Sequence, residues 1–173
     1  YQCSELIDWN GISFWMPPTD QRLQAIFEGG TTNSVPLENL EGMRYYWNEH
    51  PEWMDMLDPA SPVYDDKILE RQLYLHFWGV YVVPNARILD VGCGVGRMSQ
   101  YFLEQGCEVE LLDPDLRSLW RALQMSISLP GKIDVHWATG EQMPNIKPVD
   151  VAVACEVLNY VESPDLVIKN IYE

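Results

Sequence analysis

The stretch Arg87-Ile88-Leu89-Asp90-Val91-Gly92-Cys93-Gly94-Val95-Gly96-Arg97 decides the fold of this chain. Arg87 to Val91 is a short apolar strand, Gly92 to Gly96 is a glycine-rich turn, and from Arg97 a helical pattern runs to Gln105, where Gly106 closes it. Glycines in such a turn accept positive φ and let a ligand approach the main chain closely. The helix behind the turn offers unpaired N–H groups to an anionic ligand end. Strand, glycine turn and helix together make the opening of a βαβ unit.

Reading onward, Glu108 to Leu112 forms a second strand ending in Asp113. Leu116, Leu119, Trp120 and Leu123 mark a helix, Ile133 to Trp137 a third strand, and Val149 to Cys155 a fourth that reads as fully buried. Ser163 as N-cap, with Pro164 at the first helical position, opens a last helix. Strands alternating with helices at this spacing give a parallel sheet with right-handed crossovers. Asp113 lies 21 residues beyond Gly92 (113 − 92), at a strand end. Doubly wound nucleotide-binding domains place there the carboxylate that grips ribose hydroxyls. The glycine spacing is GxGxG. Arg97 stands where the dehydrogenase fingerprint GxGxxG needs its third glycine, which disfavours a nicotinamide dehydrogenase.

Reading backward, Asp65 to Trp78 is a helix with acids in its first turn and an apolar stripe of Ile68, Leu69, Leu73, His76, Phe77 and Val80. Residues 41–64 are aromatic-rich, with Tyr45, Tyr46 and Trp47 as either a lid or wall or padding at the sheet edge, and His50 as a weak candidate base; Pro51, Pro59 and Pro62 break any long helix. Residues 1–40 read as irregular, apart from a short helix near Asp20 to Phe27 and a loop from Gly30 to Pro36. The expected division is an N-terminal extension over 1–64 and a binding core over 65–173. Tyr1 and Glu173 read as cut ends of a longer protein, and the piece alone is expected to be inactive.

The chain has 173 residues and a formal charge of −15, from 26 acids against 11 Lys and Arg. That balance argues against tracking nucleic-acid phosphates and against an anionic membrane surface. No apolar run is long enough to span a bilayer. Cys3, Cys93, Cys107 and Cys155 contain no CxxC pair, which argues against zinc and for free thiols in a reducing cytoplasm.

Four segments, in order, resemble the motifs of class I S-adenosylmethionine-dependent methyltransferases. They are Ile88–Gly96, Leu111-Leu112-Asp113-Pro114-Asp115, Ala138-Thr139-Gly140-Glu141-Gln142-Met143-Pro144, and Asp150–Leu158. The resemblance covers roughly residues 84–173 and is closest to the small-molecule, quinone-biosynthesis branch. It implies a Rossmann-like three-layer α/β sandwich with parallel strand order 3-2-1-4, the family's later strands being absent. It also implies S-adenosylmethionine as cofactor and a small-molecule acceptor methylated at O, N or C. Gly92, Cys93, Gly94 and Gly96 would hold the methionine end, buttressed by Asp90. Asp113, followed by Pro114, would take the ribose hydroxyls. Gly140 and Glu141 would lie near adenine, and Cys155 would line the methionine or adenosine side. Thr139 departs from the aspartate that the family often places there. Asn159 and Tyr160, just past the fourth strand, are the candidates for touching acceptor. No catalytic residue is singled out. Aminopropyl transfer on the same fold and a non-catalytic binding module are the competing readings.

Overall fold

The computed structural model describes residues 5–9, 12–16, 31–32 and 55–173. Glu5–Trp9 (β1) and Ile12–Met16 (β2) form an antiparallel hairpin in which Trp9 pairs with Ile12. This corrects the expectation of irregular chain over residues 1–40. The expected helix near Asp20 to Phe27 and the aromatic lid of Tyr45, Tyr46, Trp47 and His50 lie outside the described residues.

The main sheet has five strands. Thr31–Thr32 (β3), Arg87–Val91 (β4), Glu108–Asp113 (β5), Lys132–Trp137 (β6) and Val151–Val153 (β7) are arranged in the order β3-β6-β5-β4-β7. The four strands β6-β5-β4-β7 reproduce the expected 3-2-1-4, all parallel. β3 is an addition at the edge: Thr31 pairs with His136 and Thr32 with Trp137, where a loop was expected.

The helices are Tyr64–Trp78 (α1), Arg97–Glu104 (α2), Leu116–Ser126 (α3) and Pro164–Tyr172 (α4). Parallel sheets need cover on both faces, and the two apolar clusters show how this one is covered. On one face Ile88, Val109 and Leu111 pack with Met98, Phe102 and Leu103 of α2 and with Leu119, Trp120 and Leu123 of α3. On the other, Leu89, Val91 and Leu112 pack with Ala138 and with Val167 of α4. Three layers result, with the glycine turn at their rim.

Two sequence expectations fail in detail. The apolar stripe read along α1 is split: Ile68 packs inward, whereas Leu69 is 57%, Leu73 53% and Phe77 74% exposed, as is Val80 just beyond the helix at 76%. Its core-facing side chains are Ile68, Tyr74, Leu75 and Trp78, which pack on the interior. Helical geometry at 100° per residue puts these two sets on opposite sides, so α1 is apolar on both. β7 is only three residues long and is not fully buried; among the described residues it pairs with β4 alone. Ahead of α1, Met56 and Leu57 pack against Val95, and Asp55 pairs with Arg121 of α3 at 2.8 Å.

Candidate cofactor crevice

β4 delivers the chain to the rim with Asp90 inside. The Asp90 carboxylate is buried and accepts a hydrogen bond from the Ser99 hydroxyl of α2. Burial pushes its pKa up to about 6, against the opposing pull of Ser99 and Arg97. Asp90 thus ties the strand before the turn to the helix after it.

The three glycines of the turn all have positive φ, at 66°, 54° and 82°, but each is bare for a different reason. A Cβ on Gly92 would fall 2.4 Å from Val157 Cγ2, and one on Gly96 would fall 3.1 Å from the Ala122 Cβ of α3. A Cβ on Gly94 would meet nothing within 4 Å. Gly92 therefore admits a side chain from beyond β7, Gly96 admits a helix, and Gly94 leaves open space where a Cβ would stand. The turn is fixed by Gly92 N–H and Cys93 N–H donating to Leu112 O at 2.7 and 3.1 Å.

β5 ends on Asp113, the most constrained carboxylate of the site. Gly94 N–H donates to its Oδ2 and Asp115 N–H to its Oδ1, each at 2.8 Å. Burial, followed by the charge of Asp115, raises its pKa to about 7. Asp115 itself caps α3, accepting from Arg117 N–H at 3.4 Å and from the Ser118 hydroxyl at 2.8 Å. Trp137 Nε1–H donates to Pro114 O at 2.8 Å and closes this corner.

Beyond β6, Thr139 Oγ1 accepts from Gln142 N–H at 3.2 Å. The Glu141 Oε1 accepts from Glu162 N–H at 3.0 Å and Ser163 N–H at 3.4 Å. Glu141 therefore holds the chain just ahead of α4, while Ser163 stands at the N-cap position as expected but makes no side-chain cap bond. Asn170 of α4 donates to Gly140 O and Glu141 O at 2.9 and 3.0 Å, locking the two segments together.

These segments enclose a cavity of about 770 Å³ at the carboxyl ends of the strands, within the range of small-molecule sites. Asp90, Gly92, Cys93, Gly94, Asp113, Pro114, Gly140, Glu141 and Cys155 all line it, as do Asn159 and Tyr160; Gly96 does not. Several lining residues have no role in the motif reading, although Glu156 lies within its fourth segment. Met56 comes from ahead of α1, Lys67 from α1 itself, Arg97 from the helix start and Glu156 from beyond β7. Arg97 directly follows the last glycine, which is a legible position. Its partners Glu70 and Glu156 are far away in sequence and carry no local signal. Cys93 and Cys107 are buried free thiols, and Cys155 is half-buried. Burial pushes the Cys93 thiol well above its usual range, which disfavours the thiolate that a nucleophile needs. Among the described residues no cluster of His, Cys, Asp or Glu could hold a metal ion, and no helix is long and apolar enough to cross a membrane.

A crevice at the switch point between β4 and β7, with a glycine turn on one side and a strand-end carboxylate on the other, defines a nucleotide-type α/β binding domain. The chain belongs to the methyltransferase-domain family, whose family model matches residues 49–173. It is similar to the ubiquinone biosynthesis O-methyltransferase of Rickettsia bellii (strain OSU 85-389), at 28% identity over 134 residues, covering 77% of this chain and 54% of that protein. The same enzyme of Aliivibrio fischeri (strain MJ11) is 32% identical over 98 residues, covering 52% of this chain and 42% of that one. The chain thus spans about half the length of the curated relatives it matches. In fold it is similar to the magnesium protoporphyrin IX methyltransferase of Synechocystis PCC 6803 with bound S-adenosylmethionine. The TM-score is 0.62 at 17% identity, covering 80% of this chain and 73% of that one. An N-methyltransferase of Bradyrhizobium japonicum WM9, in complex with S-adenosylhomocysteine, matches with a TM-score of 0.52 at 22% identity, covering 66% and 57% of the two chains.

Proposed function

We propose that the crevice binds S-adenosylmethionine and that the chain is the cofactor-binding part of an enzyme that methylates a small molecule. The observation that carries this reading is the pairing of Asp113 with Gly94. A buried carboxylate stands at the strand end with its Oδ2 held by the N–H of Gly94, the cavity-lining turn glycine at which a Cβ would meet nothing within 4 Å. A side chain at position 94 would fill that space, so the cradle suits a ligand that lies on bare backbone. The resemblance of all four motifs and the family membership support the same cofactor.

In this reading Asp113 accepts hydrogen bonds from the ribose hydroxyls, each charge-assisted bond being worth roughly 1.5–3 kcal/mol. Gly94 and the Cys93 loop face the methionine end, and Gly140 and Glu141 bound the adenine side. The cofactor, when bound, supplies a methyl group activated by positive sulfur. The chain's part is to orient the acceptor and exclude water, and such positioning can supply roughly 7–11 kcal/mol. Asn159 and Tyr160, both exposed at the cavity's edge, are suited to meet the acceptor. We assign residues 65–173 to the binding core and 1–64 to its extension. The acidic chain, with no excess of cations to follow phosphates, fits a small-molecule acceptor over nucleic acid, and its free thiols fit a place in the cytoplasm.

Isothermal titration of S-adenosylmethionine and S-adenosylhomocysteine, with Asp113→Ala as control, tests the reading. Binding of both ligands, weakened at least about tenfold by the substitution, is the expected result, since 1.4 kcal/mol is tenfold. A folded protein that binds neither ligand would remove the methyltransferase reading.

A further inference from the structure

Arg97 sits where three elements meet. Its guanidinium is nearly buried, at 8% residue exposure. One nitrogen donates to Glu70 Oε2 of α1. The other donates to Glu156 Oε2, just past β7, at 2.8 Å and approaches the Cys155 sulfur at 3.9 Å. Tyr74 of α1 donates its hydroxyl to Glu156 Oε1 at 3.0 Å, and its ring lies 5.6 Å from the guanidinium carbon. Lys67 completes the row by bonding both oxygens of Glu70. Charges therefore alternate Lys67, Glu70, Arg97, Glu156 across the side of the crevice.

Glu156 is one of only two non-glycine residues with positive φ among the described residues, at 59°. That conformation is unfavourable for a side-chain-bearing residue, and glycine would occupy it freely. The chain nonetheless carries a glutamate there, with both carboxylate oxygens engaged. The next residue, Val157, is the one that enters the space left by Gly92. A left-handed Glu156 thus turns the chain so that Val157 packs into the glycine turn, and Asn159 and Tyr160 follow along the rim.

We propose that Arg97 and Glu156 are positioning residues whose ion pair holds residues 155–161 against the glycine turn and thereby shapes the acceptor-side wall of the crevice. The inference rests on the cofactor reading above for its effect on binding, but its effect on the segment itself is independent of any ligand. An ordinary exposed ion pair contributes little. Here the pair stabilises a backbone conformation that the chain would otherwise leave. Removing it therefore changes the position of a cavity wall as well as a contact.

The test uses the full chain with Glu156→Gly, Arg97→Met and Arg97→Lys. Hydrogen exchange of amides 156–161 is read without ligand, together with the thermal midpoint and the dissociation constant for S-adenosylhomocysteine. Glu156→Gly removes backbone strain, so its midpoint should hold or rise. Exchange at 156–161 should nevertheless accelerate several-fold and the dissociation constant should rise about tenfold. A purely structural role would move stability and binding together and would not produce this split. Arg97→Lys, which retains a cation, should lie between wild type and Arg97→Met. Unchanged exchange and affinity in Glu156→Gly would overturn the proposal, whether or not Arg97→Met folds. Should the wild type bind no cofactor, the cofactor reading fails, and the clamp is judged by exchange alone.

Discussion

Asp113 shows how one residue can link the cofactor reading to pH. Its carboxyl is held at a pKa of about 7, by burial first and by the charge of Asp115 second, against an unperturbed value of 3.8. The sign follows from linkage. A raised native pKa means that the folded chain binds this proton more tightly than the unfolded chain. The associated stability is present in full below about pH 4 and is lost as pH rises through 7. Asp90, raised to about 6, acts in the same direction over a narrower window. Ribose hydroxyls donating to Asp113 favour its ionised form, so cofactor binding should release a proton near neutrality. Affinity should fall as pH drops from 8 to 6, by up to about tenfold per unit once below the pKa. Titration in two buffers of different ionisation enthalpy measures the released proton directly. A binding heat independent of buffer at pH 6.5 would mean that Asp113 keeps its proton and does not face the hydroxyls.

At the level of elements, local signals carried most of the framework and failed where contacts are distant. The β4–turn–α2 unit was legible because strand, glycine spacing and helix are written consecutively. Alternation with helices gave the parallel pairing of the four central strands, while their order came with the resemblance of the four motifs. The hairpin of β1 and β2 had a signal in Asn10-Gly11, the favoured residues of a two-residue connection. Its strands hide it, because Leu6-Ile7 and Phe14-Trp15-Met16 do not alternate. β3 is two residues paired across more than a hundred positions, which no window can see. The cluster of Arg97, Glu70 and Glu156 is invisible for the same reason. In α1 apolar residues recur on two sides, and periodicity alone does not say which side meets the core. The structure predicts that Leu75→Ala, which empties space against the core, costs about 2 kcal/mol, whereas Leu73→Ser on the outer face stays within about 0.5 kcal/mol. Urea unfolding with unchanged slopes decides this. A large loss from Leu73→Ser would show that the outer face is packed after all.

The whole molecule adds a field that no single contact supplies. The chain carries a net charge of −15. Among the described residues, Asp90, Asp113, Asp115, Glu141, Glu156 and Glu162 line the crevice against Lys67 and Arg97 as cations, and concave sites focus such a field. The two forms of the proposed cofactor differ in charge. The methyl donor bears a sulfonium, an ammonium and a carboxylate, for a net positive charge, while the demethylated product is neutral overall. An acidic crevice should therefore attract the donor and let the product go more readily. The field is screened over about 10 Å at 0.1 M salt and about 3 Å at 1 M. Raising salt between these values at pH 8, where Asp113 is ionised, should slow association of S-adenosylmethionine several-fold while leaving that of S-adenosylhomocysteine nearly unchanged. Stopped-flow binding with both ligands measures the difference. Equal salt sensitivity would mean that the acidic surface is solvated scenery, and that discrimination between donor and product rests on contacts within the crevice.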